Sequence, residues 1–329
     1  MITVPPRHHE QQTGAQHIDT LLTVSARALP PRAHPECPRT PYGFDIDDEL
    51  HDQLRAPVPP GVLAWVERQT KCQVIAQRPL EGGQSAAIHR LVLDNRSAVI
   101  LQRFVLDWIR DEPWAPANEV LILGLLADTS VPAPKVIAAD PHGQDTGVPS
   151  VVMTALPGAV VWDPPELDPW LDAVIDVMLT IHAIPAPQQL RRWEPYPPEN
   201  APPTWTRYRW AWERAVTTYH DVRPSSDRVF LHRDFHPGNI LWQQGKISGL
   251  VDWVSSCAGP VQEDIAHFRV NLAMHHGQAV ADRFLRHWMH ASGQFEYHPT
   301  WDLLTAVSMG GDEPNHQLDE FIAAAANRL

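Results

Sequence analysis

Lysine is nearly missing from this chain of 329 residues: of 26 basic side chains, only Lys71, Lys135 and Lys246 are lysine. Any chemistry that needs an ammonium group has three candidates. Cysteine is equally scarce. Cys37, Cys72 and Cys257 are odd in number and widely spaced. They exclude a disulfide framework and a Cys-x-x-Cys metal pair, and reduced thiols are expected. No apolar run approaches the ~20 residues of a membrane span. Leu21 to Ala28 is too short and polar for the apolar core of a secretion signal. A soluble, cytoplasmic protein is expected. Bases are the minority charge, with 39 acids giving a net charge of −13. That excludes the basic footprint of a nucleic-acid groove or an anionic membrane surface, and leaves a cationic or neutral small-molecule partner.

Hydrophobic residues at 43% and thirteen Trp are ample for a core, which excludes wholesale disorder. Residues 1–60 hold ten of the 33 prolines. Pro5-Pro6, Pro30-Pro31 and Pro59-Pro60 break any long helix there. Residues 1–55 read as an extension, partly disordered, with a short helix over 45–54. Its His8-His9 pair lacks a third ligand at useful spacing and reads as solvated. Order begins near Pro60. A helix is expected over 62–70, strands over 73–78, 87–93 and 97–104, a helix over 117–128, and strands over 135–139 and 151–155. After Gly158 the pattern turns helical: 168–184, 205–219, 264–274, 278–291, 300–307 and 317–327. Short strands at 229–231, 240–242 and 247–252 interrupt it. The fold class is α+β, with a strand-rich part over 56–155 and a helix-rich part over 156–329.

The stretch Phe230-Leu231-His232-Arg233-Asp234-Phe235-His236-Pro237-Gly238-Asn239-Ile240-Leu241-Trp242 carries the chemistry. An apolar strand enters a polar loop and leaves as an apolar strand. The loop holds an Asp and, five residues on, an Asn. Asp252 ends the next apolar strand, thirteen residues past Asn239. Phosphoryl transfer needs such a set: one carboxylate to accept the proton of the attacking hydroxyl, and an amide oxygen with a second carboxylate to hold Mg²⁺ on nucleotide phosphates.

His232-x-Asp234-x4-Asn239 followed by Val251-Asp252-Trp253 resembles the catalytic and metal loops of the aminoglycoside phosphotransferase family, over about residues 60–310. That family shares the two-lobed protein-kinase-like fold. The His-Arg-Asp triplet also occurs in protein kinases, but Asp252-Trp253, and no Ala-Pro-Glu after it, resemble the small-molecule branch. The resemblance implies Asp234 as catalytic base, Asn239 and Asp252 as metal ligands, and ATP with Mg²⁺ as cofactors. His232 is then a brace of the loop, and His236 either faces substrate or packs. Asp264 corresponds to a buttress of the catalytic loop.

On the nucleotide side, Gly82, Gly83, Gln84 and Ser85 form a small loop between strands, where glycine lets backbone N–H groups approach phosphate. Its position matches the family's nucleotide loop. Val151-Val152-Met153-Thr154 resembles the inter-lobe hinge, and Glu119 the acid that orients a phosphate-binding cation. The cation itself is missing: Gln102 stands where Lys or Arg is expected. Strand alternation puts Arg103 on the opposite face, unless a bulge brings it in. A non-catalytic, pseudokinase-like nucleotide- or ligand-binding protein is therefore the alternative to an ATP-dependent phosphotransferase acting on a small-molecule hydroxyl.

The acceptor could be aminoglycoside-like, macrolide-like or a metabolite alcohol. A polycation would call on Glu263, Asp282, Glu296, Asp302, Asp312, Glu313, Asp319 and Glu320, all at exposed-looking positions. Trp205, Tyr208 and Trp212 fall on one face of the expected 205–219 helix and could line a less polar pocket. The oligomeric state, monomer or dimer, stays open.

Overall fold

The computed structural model describes residues 48–80, 85–198, 202–222, 227–294, 296–311 and 313–329. By its internal packing the chain divides into Met1–Arg39 and Thr40–Leu329, and the described residues all fall in the second unit. Residues 1–47 of the expected extension, with its His8-His9 pair, lie outside them.

The strand-rich part comprises α1 (Asp48–Arg55), α2 (Pro60–Thr70), β1 (Val74–Pro79), β2 (Ala87–Leu93), β3 (Ala98–Arg103), α3 (Ala115–Leu126), β4 (Val136–Asp140) and β5 (Ser150–Thr154). The strands form one antiparallel sheet in the order β1-β2-β3-β5-β4. Alternation decides its two faces. Leu91, Leu93, Val99, Leu101 and Val152 bury against Val62, Trp65 and Val66 of α2. Ile88, Ile100, Val151 and Met153 point the other way and join Ile122 and Leu123 of α3 in the main core. α3 is apolar nearly all round, yet Ala117, Leu121 and Gly124 stay exposed while Ile122, Leu123 and Leu126 are buried. Leu54 of α1 packs with Ala87 and Leu106, so the last turn before Arg55 belongs to the packed sheet rather than to an extension.

The helix-rich part follows as β6 (Ala159–Val160), α4 (Leu167–His182), α5 (Arg209–Asp221), β7 (Val229–Leu231), β8 (Ile240–Gln243), β9 (Lys246–Leu250), β10 (Cys257–Gly259), α6 (Gln262–His276), α7 (Gln278–Ser292), α8 (Thr300–Ala306) and α9 (His316–Ala326). β7 pairs with β10, and β6, β8 and β9 form a second small sheet. The β8–β9 turn places Gln244 at φ 53° and Gly245 at φ 75°, the double left-handed geometry of a tight hairpin. The connection from β5 passes through Gly158 at φ 111°, where a Cβ would lie 2.7 Å from the Trp242 carbonyl oxygen. Only glycine fits that crossing.

Element types match the sequence reading, with shifts at the ends. α5 begins at Arg209, so Trp205 and Tyr208 precede the helix and do not share its face with Trp212. Trp205 instead meets Trp212 edge-on at 5.8 Å and donates to the Gly311 carbonyl. β6 and β10, of two and three residues, are too short for periodicity to show. Among the described residues no helix is long and apolar enough to cross a membrane.

Candidate active site

β7 delivers the polar loop, a single 3-10 turn at Pro237–Asn239 closes it, and β8 carries the chain away. Arg233 sits at φ 76°, a conformation that costs a residue with a Cβ about 1–2 kcal/mol. Its surroundings hold it there. Asp264, fully buried in the first turn of α6, accepts N–H bonds from His232 at 3.0 Å and Arg233 at 2.7 Å, and meets His182 Nε2 at 2.9 Å. Burial alone would raise the Asp264 carboxyl; the His182 contact and the loop N–H groups hold it below the usual range. The Arg233 guanidinium pairs with Glu263 at 3.0 Å and lies over the Tyr196 ring. Buried pairs of this kind cost several kcal/mol to break from one side.

Asp234 projects from this frame and is one-third exposed. Its Oδ2 accepts from Asn239 Nδ2 at 3.0 Å, and the same amide nitrogen donates to the Asp234 carbonyl at 2.9 Å. Its Oδ1 meets His267 Nε2 at 3.0 Å and His236 Nε2 at 3.6 Å. Burial works to raise this carboxyl, but the two histidines outweigh it and hold it well below the ordinary value. His236 Nδ1 accepts the Gly238 N–H at 3.1 Å, so its proton lies on Nε2, toward Asp234. His232 is a brace. Its Nε2 donates to the Val251 carbonyl at 3.1 Å, its ring lies 4.3 Å from Trp253, and burial pushes it down to about 4, so it is neutral.

Asp252 follows β9 at φ 64°, a left-handed conformation that Asp tolerates better than most residues. Burial and the charge of Asp234 raise its carboxyl to about 7. Glu119, 1% exposed on α3, is raised to about 8 by burial and then by Asp252. The Trp253 N–H bonds to it, but Oε2 is buried without a partner. Its neighbour Asn118 donates to the carbonyls of Val254 and Ser256 at 2.8 and 2.9 Å, which docks α3 on the segment after Asp252. Asp234, Asn239, Asp252 and Glu119 thus converge from three separate parts of the chain.

The remaining residues that the resemblance assigns to the nucleotide side divide. Gln102 pairs in register with Ile88 and Val151, which puts it on the core face of the sheet. β3 has no bulge against either neighbour, so Arg103 stays on the opposite face, beside Ala87. Its Nε is buried without a partner, and burial lowers the guanidinium. Strand geometry therefore does not bring Arg103 to Asp252. Gly82, Gly83 and Gln84 lie outside the described residues. Ser85, just past them, accepts from Trp108 Nε1 at 2.7 Å through its carbonyl. Met153 is buried in the core, and Thr154 Oγ1 accepts the Lys135 N–H at 2.9 Å.

The model of the Phosphotransferase enzyme family matches residues 76–304, which takes in nearly all of the sheet, Glu119, the loop of Asp234 and Asn239, and Asp252. The chain belongs to that family. None of the curated proteins matches the sequence. Among solved structures, the fold is similar to a thermostable mutant of aminoglycoside phosphotransferase APH(4)-Ia in ternary complex with ADP and hygromycin B. That likeness has 15% identity and a TM-score of 0.59, over 82% of this chain and 98% of the other. A type VIII aminoglycoside-3'-phosphotransferase gives 19% identity and a TM-score of 0.56 over 79% and 97% of the two chains. A macrolide 2'-phosphotransferase from Brachybacterium faecium gives 15% and 0.52 over 82% and 99%. At these identities the likeness is one of fold: the α+β, two-lobed, kinase-like arrangement of phosphotransferases.

Two features of this phosphotransferase-family site were not visible in sequence. His267 lies in no recognisable motif; only its place one turn after Asp264 hinted at a role. The acids offered for a polycation are largely committed elsewhere. Asp302 and Asp282 pair with the fully buried Arg269, Asp319 accepts from Thr206, Arg207 and Trp212, Glu263 holds Arg233, and Glu320 meets Arg207. Of the eight that look exposed in sequence, Glu263, Asp302 and Asp319 are buried. Asp312 lies outside the described residues.

Proposed function

We propose that the protein is an ATP-dependent phosphotransferase that moves the γ-phosphate to a hydroxyl of a small molecule. The observation that carries this is Asp234. It is a partly exposed carboxylate held charged by the two histidines beside it, next to an amide and a second carboxylate suited to a hard cation. Residues 56–155 then form the nucleotide lobe and 156–329 the lobe that holds base, metal ligands and acceptor.

The donor set fits Mg²⁺. Asn239 spends its nitrogen on Asp234, which leaves Oδ1 as the ligand oxygen. Asp252 is raised by burial and by its anionic neighbour, strain that a dication relieves. Among the described residues no group of three His, Cys, Asp or Glu is placed to hold a metal. Two protein ligands, with phosphate and water completing the shell, is how Mg²⁺ is usually held. When bound, the ion offsets phosphate charge.

Asp234 orients the acceptor hydroxyl and takes its proton as the acceptor oxygen bonds to the γ-phosphorus and the bond to the β-phosphate oxygen breaks. His236 and His267 keep the base ionised at neutral pH. Since Glu263, Asp282, Asp302 and Asp319 are tied to internal partners, an acceptor that does not depend on recognition of a polycation is favoured.

An ADP-release assay over aminoglycosides, macrolides, sugars and simpler alcohols tests the activity. Transfer to at least one hydroxyl class is expected, with Asp234→Asn lowering kcat by about 10²–10⁴-fold. Unchanged turnover in that variant would remove the base. Gln102 supports a second reading, binding without catalysis, because an amide on the core face leaves Glu119 with no cation. Binding of Mg·ATP with no transfer to any acceptor would favour it.

A further inference from the structure

The geometry points to His267 as a positioning residue for the catalytic base: from α6 it fixes the Asp234 carboxylate in the orientation that meets the acceptor hydroxyl. This rests on the phosphotransferase reading.

A carboxylate on a short side chain has a broad, two-fold torsion, so its orientation must be set by what it touches. Asn239 fixes Oδ2 but belongs to the same loop and moves with it. His236 is also a loop residue and stands farther off, at 3.6 Å. His267 is different. It comes from a long helix, is 7% exposed, and reaches Oδ1 at 3.0 Å. Its carbonyl accepts Asn271 Nδ2 at 2.9 Å, within an intact helix.

The spacing gives the contact its meaning. Asp264 and His267 are three apart, so they share one face of α6. Asp264 binds the backbone of His232 and Arg233, and His267 binds the side chain of Asp234. One helical turn therefore registers both the main chain that carries the base and the carboxylate itself. Two anchors on a rigid element restrict the base far more than either alone. Each carboxylate oxygen keeps a further lone pair, so a base held at both oxygens still accepts the hydroxyl proton. Misplacement by about 1 Å costs on the order of 10²-fold in rate, which sets the scale of the effect.

The test compares three variants in the phosphoryl-transfer assay, with melting temperature followed alongside. His267→Ala is expected to lower kcat about 10- to 100-fold while KM for nucleotide and acceptor stays within about threefold. His267→Gln, whose amide N–H can reach the same oxygen, recovers most of the loss. His267→Phe keeps a ring beside His236 without the donor and stays as slow as His267→Ala. Full activity in His267→Ala, or equal recovery by Gln and Phe, overturns the positioning role and leaves only packing. The contact has a readout apart from activity: in protein labelled with ¹⁵N-histidine, Asp234→Ala is expected to shift the His267 Nε2 signal, and no shift overturns the contact. Failure of the unaltered protein to phosphorylate any acceptor would instead sink the phosphotransferase reading, and the role with it, while the contact still stands or falls on the histidine signal.

Discussion

Glu119→Gln is expected to stabilise the protein, and to do so only above mildly acidic pH. Glu119 is 1% exposed, Asp252 lies near it, and Oε2 has no partner. Its carboxyl is raised from 4.5 to about 8 by burial first and the Asp252 charge second. A carboxyl whose folded value exceeds its unfolded value keeps its proton in the native state after the unfolded chain has lost it. The unfolded state then binds fewer protons, so stability falls as pH rises through the interval from about 4.5 to about 8. At about 1.4 kcal/mol per pH step for one proton, the penalty reaches about 3 kcal/mol at pH 7. Water reaching a relaxed site reduces this, so about 1–3 kcal/mol is expected. An amide carries no such penalty.

The assay is urea unfolding of the metal-free protein in EDTA, from pH 5 to 8.5. The parent should lose stability across this range, with Asp252, raised to about 7, adding to the same slope. Glu119→Gln should match the parent near pH 5 and exceed it at pH 8, with a shallower profile. A flat parent profile, or a variant less stable than the parent at pH 8, would refute the claim that Glu119 is an uncompensated buried acid. Excess Mg²⁺ and nucleotide should reduce the difference, since a cation held at Asp252 offsets the charge that helps to raise Glu119.

Gln102→Lys places a cation on the core face of β3 and is expected to tighten Mg·ATP about 10- to 100-fold, the scale of one charge-assisted bond of about 1.5–3 kcal/mol. Calorimetric affinity no better than the parent would show that phosphate does not approach this face. Asp264→Ala removes the acceptor of two buried loop N–H groups and the partner of His182, and is expected to cost about 3–5 kcal/mol in urea unfolding. A loss under about 1 kcal/mol would mean that the loop does not lean on α6.

The fold was legible because its signals were strong and local. The Asp94-Asn95 turn between β2 and β3, the turn at Gln243–Lys246 and the long apolar periods of α4 and α7 each name their element. The candidate site was legible because Asp234, Asn239 and Asp252 follow one another in the order and spacing that the proposed phosphoryl transfer calls for, at the ends of short apolar strands. What escaped depends on contacts between distant parts of the chain. Asp319 reads as an exposed acid until Thr206 and Trp212 close over it. His267 is an ordinary helix residue until α6 docks against the loop. Trp205 seemed helical because its apolar spacing continues past the true start of α5, where Thr206 and the Arg207 N–H bond to Asp319 instead of continuing the helix.

The shortage of lysine and the excess of acid meet at one place. With an amide at Gln102, no cation from β3 offsets Glu119, and Glu119, Asp252 and Asp234 lie close enough to raise one another's carboxyls in turn. They do not carry their charge equally. Asp234, held low by His236 and His267, stays ionised, while Asp252 and Glu119, raised to about 7 and about 8, hold protons around neutrality. On the proposed function, a divalent cation would bind only the ionised ligand and would have to displace the Asp252 proton. Metal affinity therefore rises through the pH range in which the metal-free fold loses stability. The histidines matter for the same reason: on the proposed function they keep Asp234 ionised as the base at neutral pH, while Asp252 keeps its proton until a metal displaces it.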